Sequence, residues 1–186
     1  MKRATLVILS TLAALLSAGH AAEGENLLKN PGIEQDAKGI PGWKISESSM
    51  GDVAAFSEVA KWGAVEGPDG NCLMVATKEP TGGNFWWQQD LEGKEGTTYE
   101  VRVDIKGSLV PRKYCAVKIG VHFLGADGKF KYMQVIPDPE LSGTWTTVRG
   151  KFTAPAGKQT MVLRLGIMMD GEMEVFFKNP SLAEVL

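Results

Sequence analysis

The chain is poor in the residues that carry metal and thiol chemistry, with two histidines and two cysteines in 186 residues. His20 lies in the N-terminal apolar segment, so His122 alone remains beyond it. That excludes a multi-histidine zinc site and the metalloprotease motif. No Gly-x-Ser-x-Gly elbow accompanies His122, which removes the nucleophilic triad of that type. Basic excess is missing too, because the formal net charge is −2. A phosphate backbone needs a basic patch, and nucleic acid is therefore not expected as a partner. No apolar run reaches membrane-spanning length, so no membrane span is expected. Also absent is any long segment with an apolar period of 3.6 residues, which argues against helices.

The one sustained apolar stretch is at the start. Lys2 and Arg3 precede Ala4 to Leu16, and Gly19-His20-Ala21 ends the run with small residues. This is the pattern of an export signal cleaved after Ala21, leaving 22–186 as one secreted or periplasmic domain with room for a full core. No cysteine follows closely, so a lipid-anchored product is not expected. Cys72 and Cys115 both sit in strand-like runs. In an exported protein such a pair forms a disulfide or packs as two small buried thiols, and the sequence leaves both open.

What the sequence has in quantity is short alternation broken by Gly, Pro, Asn and Asp. Tyr99, Val101, Val103 and Ile105 alternate with Glu100, Arg102, Asp104 and Lys106. Tyr114 to Leu124 and Met161 to Met169 repeat the pattern, and Asp127-Gly128 and Asp170-Gly171 supply turns. Roughly ten strands with no linker read as an all-β sandwich or barrel. Strands are expected at 26–30, 53–59 and 72–77 as well, with a loop over 60–71 that carries Trp62 as a rim platform or a loop anchor.

Asn84 to Leu91 holds two of the five tryptophans side by side. Neighbouring side chains of a strand point to opposite faces. Phe85, Trp87, Gln89 and Leu91 then form a core face with one polar member. Trp86, Gln88 and Asp90 form the other, an aromatic platform beside hydrogen-bonding groups, as a sugar ring requires. By the same parity Arg102, Lys118, His122 and Arg164 fall on outward faces of central strands. On one sheet they would line a basic cleft, suited to acidic or heavily hydroxylated sugars, with Arg able to grip a carboxylate at two points. On a solvated face they would instead pair with neighbouring carboxylates, for little gain.

The order of landmarks carries a resemblance. The chain runs from Asn26-Leu27-Leu28-Lys29-Asn30-Pro31-Gly32-Ile33-Glu34 to Gly42-Trp43, then to the aromatic and Gln strand at Trp86 to Leu91, then to Thr98-Tyr99. It closes with Thr144-Trp145-Thr146 and Phe176-Phe177-Lys178-Asn179-Pro180-Ser181-Leu182. This resembles the carbohydrate-binding modules of families 4, 9 and 22, which are galactose-binding-like jelly rolls. The resemblance implies a jelly-roll β-sandwich of two antiparallel sheets that binds polysaccharide or oligosaccharide without catalysis. It implies structural places for Trp43 and Trp145, a core place for Trp87, and a platform at Trp86. Such modules usually accompany a hydrolase, for which this chain has no room. Members often hold a structural calcium between an early glutamate and paired aspartates. Here those positions read Glu34, Lys178 and Asn179, so Glu34 and Asn179 are the expected ligands of a calcium that Lys178 disfavours.

Two other readings accompany this one. A protein-interaction or structural domain of the same fold would turn its surface tryptophans toward another protein. A glycosidase would use the alternating carboxylates Asp170, Glu172 and Glu174, chiefly Glu172 and Glu174. Asp170-Gly171 is a turn dipeptide, which removes Asp170 from the strand and weakens the enzyme reading.

Overall fold

The computed structural model describes residues 24–48, 60–65, 70–77, 84–111, 116–124, 128–157, 159–168 and 171–186. The expected export signal at 1–21, the expected strand at 53–59, Cys115 and Asp170 lie outside them.

The alternating runs form strands β1 (Lys44–Ser48), β2 (Ala60–Val65), β3 (Cys72–Thr77), β4 (Asn84–Gly93), β5 (Thr98–Pro111), β6 (Ala116–Leu124), β7 (Phe130–Ile136), β8 (Thr146–Thr153), β9 (Gln159–Met168) and β10 (Gly171–Glu184). They make two five-stranded antiparallel sheets. The first has the order β1-β4-β9-β6-β7 and the second β2-β3-β10-β5-β8. This is the all-β jelly-roll sandwich. Its core lies between the sheets. From the first sheet it takes Phe85 and Trp87 of β4, Val117 to Phe123 of β6 at alternate positions, and Met161, Leu163, Leu165 and Ile167 of β9. The second sheet answers with Leu73, Val75, Tyr99, Val101, Val103, Ile105, Val175 and Phe177. Each set recurs at every second residue, which is what a pleated strand buried on one face demands.

The ladders correct two expectations. Segment 60–65 is not loop but β2, so Trp62 stands in a strand, opposite Val75. Residues 26–30 do not form a ladder strand; they are tied by Leu27 N–H to the Leu182 carbonyl and by the Asn26 side chain to Pro180 and Leu182. Cys72 is buried at the start of β3.

The polar member of the core face is satisfied. Gln89 is 1% exposed, and its Oε1 accepts from Lys29 N–H at 2.5 Å while its Nε2 donates to the Lys29 carbonyl at 2.9 Å. A buried amide left without partners would cost about 1–3 kcal/mol. Here it clamps the N-terminal segment across the sandwich edge. Trp87 behaves as core, with its Nε1 donating to the Met74 carbonyl at 3.0 Å. Trp43 does the same toward Asn30 at 3.1 Å. Trp145 is half-buried beneath the ammonium of Lys178, 4.2 Å from its ring centroid.

Candidate carbohydrate-binding face

The face of the first sheet that points away from the core carries most of the residues singled out by parity. Strand pairing arranges them in rows. Trp86 of β4 stands opposite Gly166 of β9, which stands opposite Lys118 of β6. In the next row Lys44, Gln88, Arg164, Gly120 and Gln134 run across all five strands. The third row is Asp90, Val162, His122 and Tyr132.

Two rows contain a glycine, and aromatic rings use the space. A Cβ on Gly166 would come within 2.8 Å of Trp86 Cε3, and one on Gly120 within 2.6 Å of Tyr132 Cε2. The indole and the phenol therefore fill the space above the two glycines, tilted 51° to each other. Their centroids are 6.1 Å apart, with Arg164 5.7 Å from the Trp86 ring and His122 edge-on to Tyr132 at 4.8 Å. Offset and tilted rings at such distances attract one another, and a guanidinium over an indole adds a cation–π term.

Trp86 is not the exposed platform expected from the sequence. It points to the outer face, as parity requires, but is only 5% exposed because its neighbours cover it. The exposed ring is Tyr132, at 41%. Tyr132 is the residue the sequence reading missed. The signal was available, since Tyr132 and Gln134 alternate in the strand that returns from the Gly128 turn and so pair with His122 and Gly120.

The cations of the face divide into two kinds. Lys118 is 5% exposed and bound to Asp138 at 2.7 Å, with Gln134 joining the same carboxylate. Those hydrogen bonds, the one from Lys118 first, hold the Asp138 carboxyl below its usual range. Lys44 is paired with Asp90 at 2.7 Å in solvent. Arg164 is half-buried and has no carboxylate partner among the described residues. Burial lowers its pKa, while Tyr132 and Asp90 act to raise it. Burial also pushes the His122 imidazole down to about 4, with the Arg164 charge adding to the effect. His122 is thus neutral at ordinary pH.

Three polar atoms at the centre of this face are buried and lack a hydrogen-bond partner among the described residues: Trp86 Nε1, Gln88 Oε1 and Arg164 Nε. Buried polar atoms are almost always bonded, so three from two adjacent strands need an explanation. They offer two donors and one acceptor on one patch.

The remaining candidates lie elsewhere. Arg102 is exposed on β5 of the second sheet, and Trp62 is on that sheet's edge strand β2, so neither joins the rows. Parity told which face Arg102 takes but not which sheet. Glu172 and Glu174 are exposed on β10, again in the second sheet. For calcium, Glu34 is exposed, its N–H donating to Asn30 Oδ1 and its carbonyl accepting from Asn30 Nδ2, while the Asn179 amide donates to Asp104 at 2.8 Å. Among the described residues no three of His, Cys, Asp and Glu gather into a group that could hold a metal ion. Calcium takes roughly six to eight oxygens, backbone and amide carbonyls among them.

The sequence pattern of a family described as carbohydrate binding domain matches residues 25–168. The chain belongs to this family. Solved structures agree on the fold. The CBM22-1 xylan-binding domain of Xyn10C from Paenibacillus barcinonensis superposes with a TM-score of 0.57 at 15% identity, over 89% of this chain and 98% of that one. A family 61 module in complex with β-1,4-galactotriose gives 0.51 at 18% identity, over 86% and 99%. The enzymatically active domain of tailspike protein 4 from bacteriophage CBA120 gives 0.63 at 10% identity, over 86% of this chain. The chain spans 21% of the length of that tailspike. No protein with a curated description matches the sequence.

Proposed function

We propose that this carbohydrate binding domain holds a polysaccharide chain on the outer face of its first sheet, across Trp86, Arg164 and Tyr132, and performs no chemistry on it. Membership of the family supports the class of ligand. The observation that supports the place is the cluster of unpartnered polar atoms beside two aromatic rings. A sugar offers both faces such a patch requires: C–H groups for the rings and hydroxyls that donate or accept. Gln88, Arg164, Trp86 and Tyr132 are then contact residues. Asp90 and Lys118 serve by holding Lys44 and Asp138, and His122 by supporting Tyr132 from its edge.

A hydrolytic role for Glu172 and Glu174 finds no support in this arrangement, because they sit on the sheet opposite the aromatic face. The N-terminal apolar segment supports work outside the cytoplasm, in the periplasm or beyond the cell. No helix among the described residues is long and apolar enough to cross a membrane.

Affinity gel electrophoresis against β-glucan, xylan, mannan, galactan and uronic-acid polymers tests the reading. Retardation by at least one polymer, weakened by Tyr132→Ala, is the expected result. Free migration through all of them would sink it.

A further inference from the structure

Three cations occupy row positions on the outer face, and two are already neutralised: Lys44 by Asp90 and Lys118 by Asp138. Arg164 is the exception among the described residues. The carboxylate that acts on it through space, Asp90, is bonded to Lys44 instead. His122 adds no charge above about pH 4. Among the described residues the face therefore presents one uncompensated cation at its centre, half-buried beside the Trp86 indole. In that setting its attraction for an anion is stronger than in water.

The chemistry of the unpartnered atoms narrows the ligand. Trp86 Nε1 and Arg164 Nε are both donors, and Gln88 Oε1 is an acceptor two residues from Trp86 on the same strand face. Of the guanidinium only Nε is both buried and unpartnered, so its Nη edge stays within reach of solvent. A carboxylate is an acceptor-only group with several lone pairs, and an arginine fork meets it at two points. A ring hydroxyl of the same sugar is a donor for Gln88. A carboxylate attached to a ring that stacks on Tyr132 is a uronic acid.

We infer that this face selects acidic sugars, with Arg164 receiving a uronate carboxylate beside the Trp86 ring. The inference rests on the sugar-binding reading and names the substrate class of the same site. General electrostatics do not supply the preference, because the chain as a whole carries a formal net charge of −2 and repels polyanions.

The test pairs each acidic polymer with its own neutral form. Polygalacturonate, alginate and glucuronoxylan are measured by isothermal titration beside the same polymers after chemical reduction of their carboxyl groups to alcohols. At least one acidic polymer should bind about tenfold or more tightly than its reduced form, the scale of a charged two-point hydrogen bond. Arg164→Gln should collapse that ratio toward one, with an unchanged melting temperature reporting that the fold is kept. Arg102→Gln, on the other sheet, should leave the ratio as it is. Equal binding of acidic and reduced forms overturns the inference while the sugar-binding reading stands. A preference that survives Arg164→Gln overturns the assignment to Arg164. Failure of every polymer, acidic, reduced or neutral, overturns both readings.

Discussion

Gly166 stands directly opposite Trp86 in the β4–β9 ladder, and the indole occupies the space that a side chain at Gly166 would need. The contact decides how the outer face is built, because the indole fills the space above Gly166 and carries the Arg164 guanidinium over its ring.

Gly166→Ala should therefore be costly beyond its size. Its Cβ would meet the Phe85 carbonyl as well as the indole, and backbone cannot step aside. We expect a loss of about 1–3 kcal/mol, the usual range for overpacking. Urea denaturation measures it, and carbohydrate affinity should fall in parallel as the indole is displaced. A variant as stable as the parent would show that the ring does not lie where described.

Tyr132 and Trp86 separate stability from binding. Tyr132 is 41% exposed but packs against Trp86 and His122, so Tyr132→Ala should cost about 1 kcal/mol of stability. Covering roughly 50 Å² of its ring by a sugar is worth ~1.3 kcal/mol, and affinity should drop about tenfold. Trp86 is buried, so Trp86→Ala would confuse the two effects. Trp86→Phe keeps a ring and removes the unpartnered N–H. It should lower the melting temperature by less than Trp86→Ala does and still weaken binding, as read by titration calorimetry.

Acid should weaken the fold in two separable windows. His122 has its pKa lowered from 6.5 to about 4 by burial and by Arg164. The unfolded chain then binds the extra proton first, so stability is full above pH 6.5 and falls as pH drops toward 4. The imidazole is partly exposed, and solvent screening brings the expected loss to about 1–2 kcal/mol. Asp138 has a depressed pKa as well, through Lys118, and its contribution is lost only below the ordinary carboxylate value of 3.8. Urea midpoints followed against pH should flatten in the upper window for His122→Gln and in the lower one for Asp138→Asn. An unchanged upper window in His122→Gln would show that the imidazole is not held neutral.

Calcium is expected to leave the protein unaffected. Millimolar calcium chloride and then excess chelator should each move the melting temperature by less than about 1 °C, since a ligand that binds only the native state must raise it. A rise that chelator reverses and Asn179→Ala abolishes would restore Glu34 and Asn179 as a metal site.

Sequence parity carried a long way in this chain because one face of every central strand is core. It sent Trp87 inward and Trp86 outward, and it turned Arg164, Lys118 and His122 outward, onto the face that the β6–β9 pairing makes common to them. It could not say that Arg102 belongs to the other sheet, because alternation is local and sheet order is set by pairings distant in sequence. Nor could it show that Lys118 is taken by Asp138, which arrives on the proline-rich loop after β7. The burial of Trp86 was hidden for a related reason. It depends on Tyr132 and Arg164 converging from two other strands over a pair of glycines, and neither glycine looks functional in the sequence.

The last strand has a consequence for when the molecule can form. β10 is the middle strand of the second sheet, hydrogen-bonded to β3 on one side and β5 on the other, and Leu182 and Pro180 on it hold the Asn26 segment. Until residues 171–184 have left the ribosome, two pairs of strands have no centre to join and Asn26 lacks its partners. Folding of this sheet must therefore wait for residues 171–184. A chain interrupted before β10 would lose its keystone and not merely an edge.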